Sequence, residues 1–189
     1  LNPKAWQAAW GDFTKKLYFC ASTFGDGFAA ELDISNFYDS IQLDSLEYRV
    51  RKDVSHKQSD TIYLLFHFLR FWNRHINFYR QQGAGIPQDI FGECSRILAN
   101  FYLQSYDQKI YDFCKKREAR YFRYADDQVI FAKSKEDLEE IIAKASSFLM
   151  MDGLNFNQKK VNIKTIDELY HFFSFENFLE LTIKDNKLT

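Results

Sequence analysis

Two acidic elements carry the chemistry that the 189-residue sequence can be read for. The first is Arg123-Tyr124-Ala125-Asp126-Asp127-Gln128-Val129-Ile130. A tight hairpin tip needs positive φ and favours Asn-Gly or Asp-Gly. Two adjacent aspartates instead concentrate like charge and add nothing to folding. A hard divalent cation such as Mg²⁺ offsets that repulsion; the plain alternative is an acidic surface turn. The second element is Glu31-Leu32-Asp33-Ile34-Ser35-Asn36-Phe37-Tyr38-Asp39, which puts Asp33 at the end of an apolar strand. If that strand lies beside the hairpin, Asp33 faces Asp126 across the sheet. Two or three carboxylates so placed hold two Mg²⁺ ions roughly 4 Å apart, a pair that activates a hydroxyl and stabilises a pyrophosphate leaving group. The alternative for Asp33 alone is a strand-end or helix cap. A third element, Gly85-Ile86-Pro87-Gln88 followed by Ser95-Arg96-Ile97-Leu98-Ala99-Asn100-Phe101-Tyr102-Leu103, reads as a loop feeding a helix. Its glycines permit close backbone approach to a nucleotide, and proline stiffens the approach.

These residues need elements to hold them. Phe28 to Ile34 reads as a buried strand. Leu43 to Val54 reads as a helix, and Thr61 to Asn73 as another. In the second, Ile62, Leu65, Phe66, Leu69 and Trp72 form one stripe while Leu64, Phe68 and Phe71 cover the other side, so it is expected to be largely buried. Residues 83–92 form a shaped loop, and Ser95 to Lys116 a long helix with Ile97, Leu98, Phe101 and Tyr102 inward. Tyr121–Tyr124 and Val129–Ala132 are two strands of a hairpin. Ser134 with Asp137 marks the start of the next helix and Gly153 its end. Val161–Lys164 reads as an edge strand. The mixture predicts an α+β fold, an antiparallel sheet with helices on one face.

Composition narrows the class. Apolar residues make up 46% of the chain, which excludes disordered and fibrous classes. Aromatics reach 18%, enough for base-stacking surfaces as well as a core. The net charge of −1 neither predicts nor forbids a nucleic-acid partner. Charge is unevenly placed: residues 26–44 carry five acids and no base, while 109–124 and 157–164 are basic. Acidic and basic segments together suit cations and polyanions. Cys20, Cys94 and Cys114 are read as reduced core thiols of a cytoplasmic protein. The apolar run Ile62–Trp72 is too short to span a bilayer, no signal peptide is visible, and the start at Leu1 reads as a piece of something longer.

Taken together the elements resemble the palm domain of a reverse transcriptase, an RNA-directed DNA polymerase. Asp33 with Phe37-Tyr38 resembles motif A, Gly85 to Leu103 motif B, and Tyr124-Ala125-Asp126-Asp127 motif C. Gly153 to Lys160 resembles motif D. The four occur in family order over residues 28–165. The resemblance implies one reverse transcriptase domain over 1–189, a polymerase palm with part of the fingers. No basic fingers hairpin or thumb is found in the sequence. It implies Asp33, Asp126 and Asp127 as catalytic metal ligands, with the Ile34 backbone completing the set for two Mg²⁺ ions, Mn²⁺ substituting. Lys160 would neutralise or protonate the departing pyrophosphate. Phe37, Tyr38 and Gln88 would contact the nucleotide, with Tyr38 as the sugar-selecting residue; packing in the core is the alternative for Tyr38, and a solvated lysine for Lys160. The implied partners are an RNA template, a DNA or RNA primer and dNTPs, with no membrane; the implied reaction is dNTP addition to a 3′ end. The alternatives are template-independent or protein-primed synthesis by the same palm, or a catalytically silent RNA-binding scaffold. Asp89 stands where the family has Gly after the Gln of motif B, and the following helix start is pushed back by two residues. The Ser95–Ala99 run is similar to bacterial abortive-infection and defence-associated members, while group II intron and retron enzymes are similar elsewhere.

Overall fold

The computed structural model describes residues 6–54, 56–76, 85–88 and 93–171. Asp89, Gly83, Gly92 and the side chain of Trp72 lie outside the described parts. In chain order the elements are α1 (Trp6–Phe24), β1 (Phe28–Asp33), α2 (Phe37–Ser40), α3 (Leu43–Asp53), a 3₁₀ turn (His56–Gln58), α4 (Ser59–Ile76), α5 (Glu93–Lys115), β2 (Arg120–Tyr124), β3 (Asp127–Ala132), α6 (Lys135–Met151), a second 3₁₀ turn (Gln158–Lys160) and β4 (Asn162–Thr165). Residues 166–171 are helical. The α+β expectation holds. Among the described residues no helix is long and apolar enough to cross a membrane.

The chain divides into two compact units. One, residues 1–33, 110–144 and 158–189, contains an antiparallel sheet of order β2-β3-β1-β4. β4 is an edge strand, as its sequence suggested. Helix α1 was not anticipated. Its Phe13, Leu17, Cys20 and Ala21 recur at helical spacing and close over Ala29, Val129 and Phe131, with Ile166 and Leu169 in the same cluster. The residues alternating with these on the strands, Ala30, Leu32, Ile130 and Ala132, are buried as well. Helix α6 begins as expected: Ser134 Oγ accepts the Asp137 N–H at 3.1 Å and donates to Asp137 Oδ2 at 2.7 Å.

The other unit, residues 34–109 and 145–157, contains α2, α3 and α4 with parts of α5 and α6. Gly153, at φ 74°, ends α6, and the Leu154 N–H returns to Leu149 O at 2.9 Å. Arg49 ties the unit together: it donates to the Tyr102 carbonyl and to Asp152, and its guanidinium lies 4.5 Å from the Tyr102 ring centre. Three expectations fail here and at the start of α5. Helix α4 buries only one stripe, Ile62, Phe66 and Leu69, while Tyr63, Leu64, Phe68 and Phe71 are exposed, so it is one-sided rather than largely buried. Ile97 is 56% exposed, because the inward face of α5 passes through Leu98 and Tyr102 instead. Cys94, in the first turn of α5, is exposed; only Cys20 and Cys114 are core thiols.

Candidate active site

The hairpin is built by a two-residue turn. Tyr124 and Asp127 are the last paired residues of β2 and β3, leaving Ala125-Asp126 as the tip. Ala125 takes φ 53°, a left-handed conformation that costs an alanine about 1–2 kcal/mol. A tip of this length between right-twisted strands requires positive φ at its first residue. The strain is held from both sides: Arg123 Nη1 donates to the Ala125 carbonyl at 2.7 Å. The Tyr124 ring packs against Trp10 and Phe13 of α1, at 5.2 and 5.7 Å between ring centres. So α1 braces the acidic tip.

The β1–β3 ladder runs from Phe28↔Ala132 to Asp33↔Asp127. Asp33 therefore faces Asp127, not Asp126 as the sequence suggested, because β3 starts one residue later than the tip. Direct partners project to the same face of a sheet. Asp33, Asp127 and, two residues back on β1, Glu31 thus share a face at one end of the sheet. Asp126 is adjacent in the chain, and its electrostatic influence reaches Asp127.

The local field shows how crowded these acids are. Burial, then the neighbouring Asp126 and Asp33, push Asp127 up to about 6, although the outer surface of the residue is open to solvent. Asp126 is also raised, by burial first and by Asp33, against its own backbone N–H, Lys160 and Arg123, which pull it down. Lys160 Nζ stands 2.9 Å from Asp33 Oδ1. That hydrogen bond raises the lysine above its ordinary range. Lys164 Nζ lies 2.7 Å from Glu31 Oε2, and Asn162 donates to the same oxygen at 3.2 Å. Lys164 and Glu31 were not among the residues anticipated; the basic run 157–164 was the signal that could have found the lysine.

The remaining anticipated residues belong to the other unit. Ile34 is 1% exposed and bridges Phe156, while the Ser35 N–H donates to Asn155 O at 2.9 Å. Phe37 is buried, with the half-buried Tyr38 ring 5.4 Å away. The Tyr38 carbonyl accepts the Ile86 N–H at 3.0 Å. Gln88 is exposed. Gly85 lies close against protein backbone: a Cβ there would lie 2.8 Å from Asp39 Cα and 2.9 Å from the Tyr38 carbonyl oxygen.

Among the described residues no three carboxylate, imidazole or thiol groups stand close enough to enclose a metal ion as the side chains are placed. The donor set nonetheless suits a hard divalent cation. It offers oxygen ligands only, and like charges that, after burial, help to raise Asp126 and Asp127.

Residues 12–177 match the family described as reverse transcriptase (RNA-dependent DNA polymerase). The chain is 29% identical over 111 residues to a retron Ec83 reverse transcriptase of Escherichia coli, covering 57% of this chain and 33% of that protein. It thus spans about a third of the length of that relative. The fold is similar to an apo telomerase of Candida tropicalis truncated from its C-terminal domain, with a TM-score of 0.57 and 13% identity over 82% of this chain and 35% of that one.

Proposed function

Since the chain belongs to the reverse transcriptase (RNA-dependent DNA polymerase) family, we propose that it is the catalytic part of an RNA-directed DNA polymerase that adds dNTPs to a 3′ end. One observation carries the reading: Asp33 and Asp127 are cross-strand partners at the sheet end beside the Asp126 tip. In this reading Asp33, Asp126 and Asp127 hold two Mg²⁺ ions, aided by the carbonyl of Ile34, the next residue in the chain, with Mn²⁺ as a substitute. When bound, such ions activate the attacking hydroxyl and stabilise charge on the leaving pyrophosphate.

The rest of the work falls to the protein's own groups. The raised pKa values of Asp126 and Asp127 mean that their ionised forms are disfavoured without a cation, so the site is prepared for one. Lys160 carries a full positive charge and can place it, or a proton, on a departing phosphate. Tyr38 selects the sugar by excluding a 2′-hydroxyl, Phe37 supports it, and Gln88 meets the template base. These three roles rest on the resemblance of motif spacing. An RNA template and a DNA or RNA primer are the partners. Action in the bacterial cytoplasm, in antiphage defence, is the finer part of this reading, supported by the Ser95–Ala99 likeness. The test is Mg²⁺-dependent incorporation of labelled dNTP by the full-length protein on poly(rA)/oligo(dT). Primer extension is expected. Template binding without extension, in Mg²⁺ or Mn²⁺, would favour a silent RNA-binding scaffold instead.

A further inference from the structure

The acidic end of the sheet carries its own cations. Backbone pairing between β1 and β4 runs from Phe28↔Thr165 to Glu31↔Asn162 and stops two residues short of Asp33. Beyond that point the 3₁₀ turn Gln158–Lys160 brings Lys160 to Asp33, while Lys164 of β4 meets Glu31. Glu31 and Asp33 share a face of β1, so two ammonium groups from one neighbouring segment answer two carboxylates of one strand.

The two partners of the Asp33–Lys160 pair are held very differently. The Asp33 side chain is 11% exposed and fixed at the end of a buried strand; the Lys160 side chain is 62% exposed. The ammonium itself loses little by returning to water; the cost of parting falls on the enclosed carboxylate until a cation replaces the lysine. The carboxylate has little room to move, being almost wholly enclosed by its neighbours. A flexible stem that carries a point charge is suited to such an exchange, and a rigid guanidinium less so.

We propose that Lys160 is a resident counter-ion, holding Asp33 until a divalent cation takes that carboxylate, and that its release frees the ammonium for the triphosphate. The proposal rests on the reading of Asp33, Asp126 and Asp127 as cation ligands. It adds an order of events: Lys160 is withheld from phosphate while the carboxylates lack a cation and becomes available as one binds. It also assigns Lys160 a cost, because the lysine competes with the cation for Asp33 and lowers the apparent affinity.

The experiment is Mn²⁺ binding to the full-length protein without nucleotide, followed by the electron paramagnetic resonance signal of free Mn²⁺. Lys160→Ala should bind roughly three- to tenfold more tightly than wild type, an advantage that shrinks with added salt. Lys160→Arg, which keeps the charge, should show no such gain. The gain should vanish when Lys160→Ala is combined with Asp33→Asn, since the two residues then share no interaction to lose. As a second readout, Lys160→Ala should melt lower than wild type without cations and gain more from Mg²⁺. Equal Mn²⁺ affinity of Lys160→Ala and wild type, with Asp33→Asn weakened, would overturn the exchange and leave the cation site standing. Binding indifferent to Asp33→Asn, or no saturable binding in any variant, would overturn both.

Discussion

Asp33 and Asp127 are direct partners on the final rung of the β1–β3 ladder, so the residue that ends β1 and the residue that begins β3 are both acids. With Asp126 beside them, the folded protein holds negative charge together that the unfolded chain would separate. Asp126→Asn removes one charge without changing shape. In the full-length protein it should lower dNTP incorporation by at least about a hundredfold, or about 2.7 kcal/mol of barrier. Because Asp126 is raised by burial and by Asp33, its ionised form disfavours folding at neutral pH. The variant should therefore melt at the same temperature as wild type or higher in the absence of cations. Primer extension and thermal melting check the two halves; a well-folded variant with wild-type turnover would place the chemistry elsewhere.

Gly85 is pressed against the turn that follows β1. At φ 139° it sits where side chains are strained, and an added Cβ would meet Asp39 Cα at 2.8 Å and the Tyr38 carbonyl at 2.9 Å. Neither is the loose end of a side chain. Gly85→Ala should cost about 1–3 kcal/mol in urea unfolding. It should also weaken the Ile86-to-Tyr38 hydrogen bond, seen as faster hydrogen exchange at the Ile86 amide.

The three thiols should separate by burial. Cys94 is exposed, whereas Cys20 and Cys114 are buried. Burial raises both, and pushes Cys114 up to about 11 against the pull of Arg117. The thiolate is the reactive form. Alkylation of the native protein at pH 8, mapped by peptide mass spectrometry, should label Cys94 quickly and the other two only in denaturant.

Glu47 links α3 to α4. Burial raises its pKa, but hydrogen bonds from Arg51 and Arg70 outweigh that and leave it lowered. A lowered carboxylate contributes stability that is present above the ordinary range, about pH 4, and is lost as pH falls through the folded value. Glu47→Gln should destabilise by no more than about 1 kcal/mol at pH 7, since Arg70 is partly solvated. That difference should narrow in acid, as denaturant titrations at stepped pH will show.

What could be read from sequence was what local chemistry dictates. The Asp126-Asp127 hairpin, the end of the strand at Asp33, the Ser134 start and Gly153 end of α6, and the edge strand at residues 162–165 all follow from a few adjacent residues. The failures were tertiary. Helix α4 carries apolar residues on two sides, and nothing local tells which side meets the unit core; Phe66 does and Phe68 does not. Ile97 and Leu98 are neighbours of equal hydrophobicity on opposite sides of one such decision. The stripe Phe13, Leu17, Ala21 has helical spacing, but its packing on Tyr124 is a tertiary contact that spacing does not show. The closeness of Gly85 to Asp39 is a long-range contact that spacing does not show.

The burial pattern of β3 has a consequence for how this domain tolerates gained or lost residues. Val129 to Ala132 are buried without alternation, and Ala29 and Ala30 face Phe131 and Ile130. Where both faces of a strand are apolar, hydrophobicity discriminates weakly against sliding by one position, since an oily side chain still finds an oily surface. Parity at the end of the strand is then guarded by the short tip and by matching small residues to large ones. A single-residue deletion between Phe28 and Asp33 would accordingly leave a chain able to form its sheet while sending the Asp33 carboxylate to the wrong side. Such length variants should be abundant, foldable and inactive.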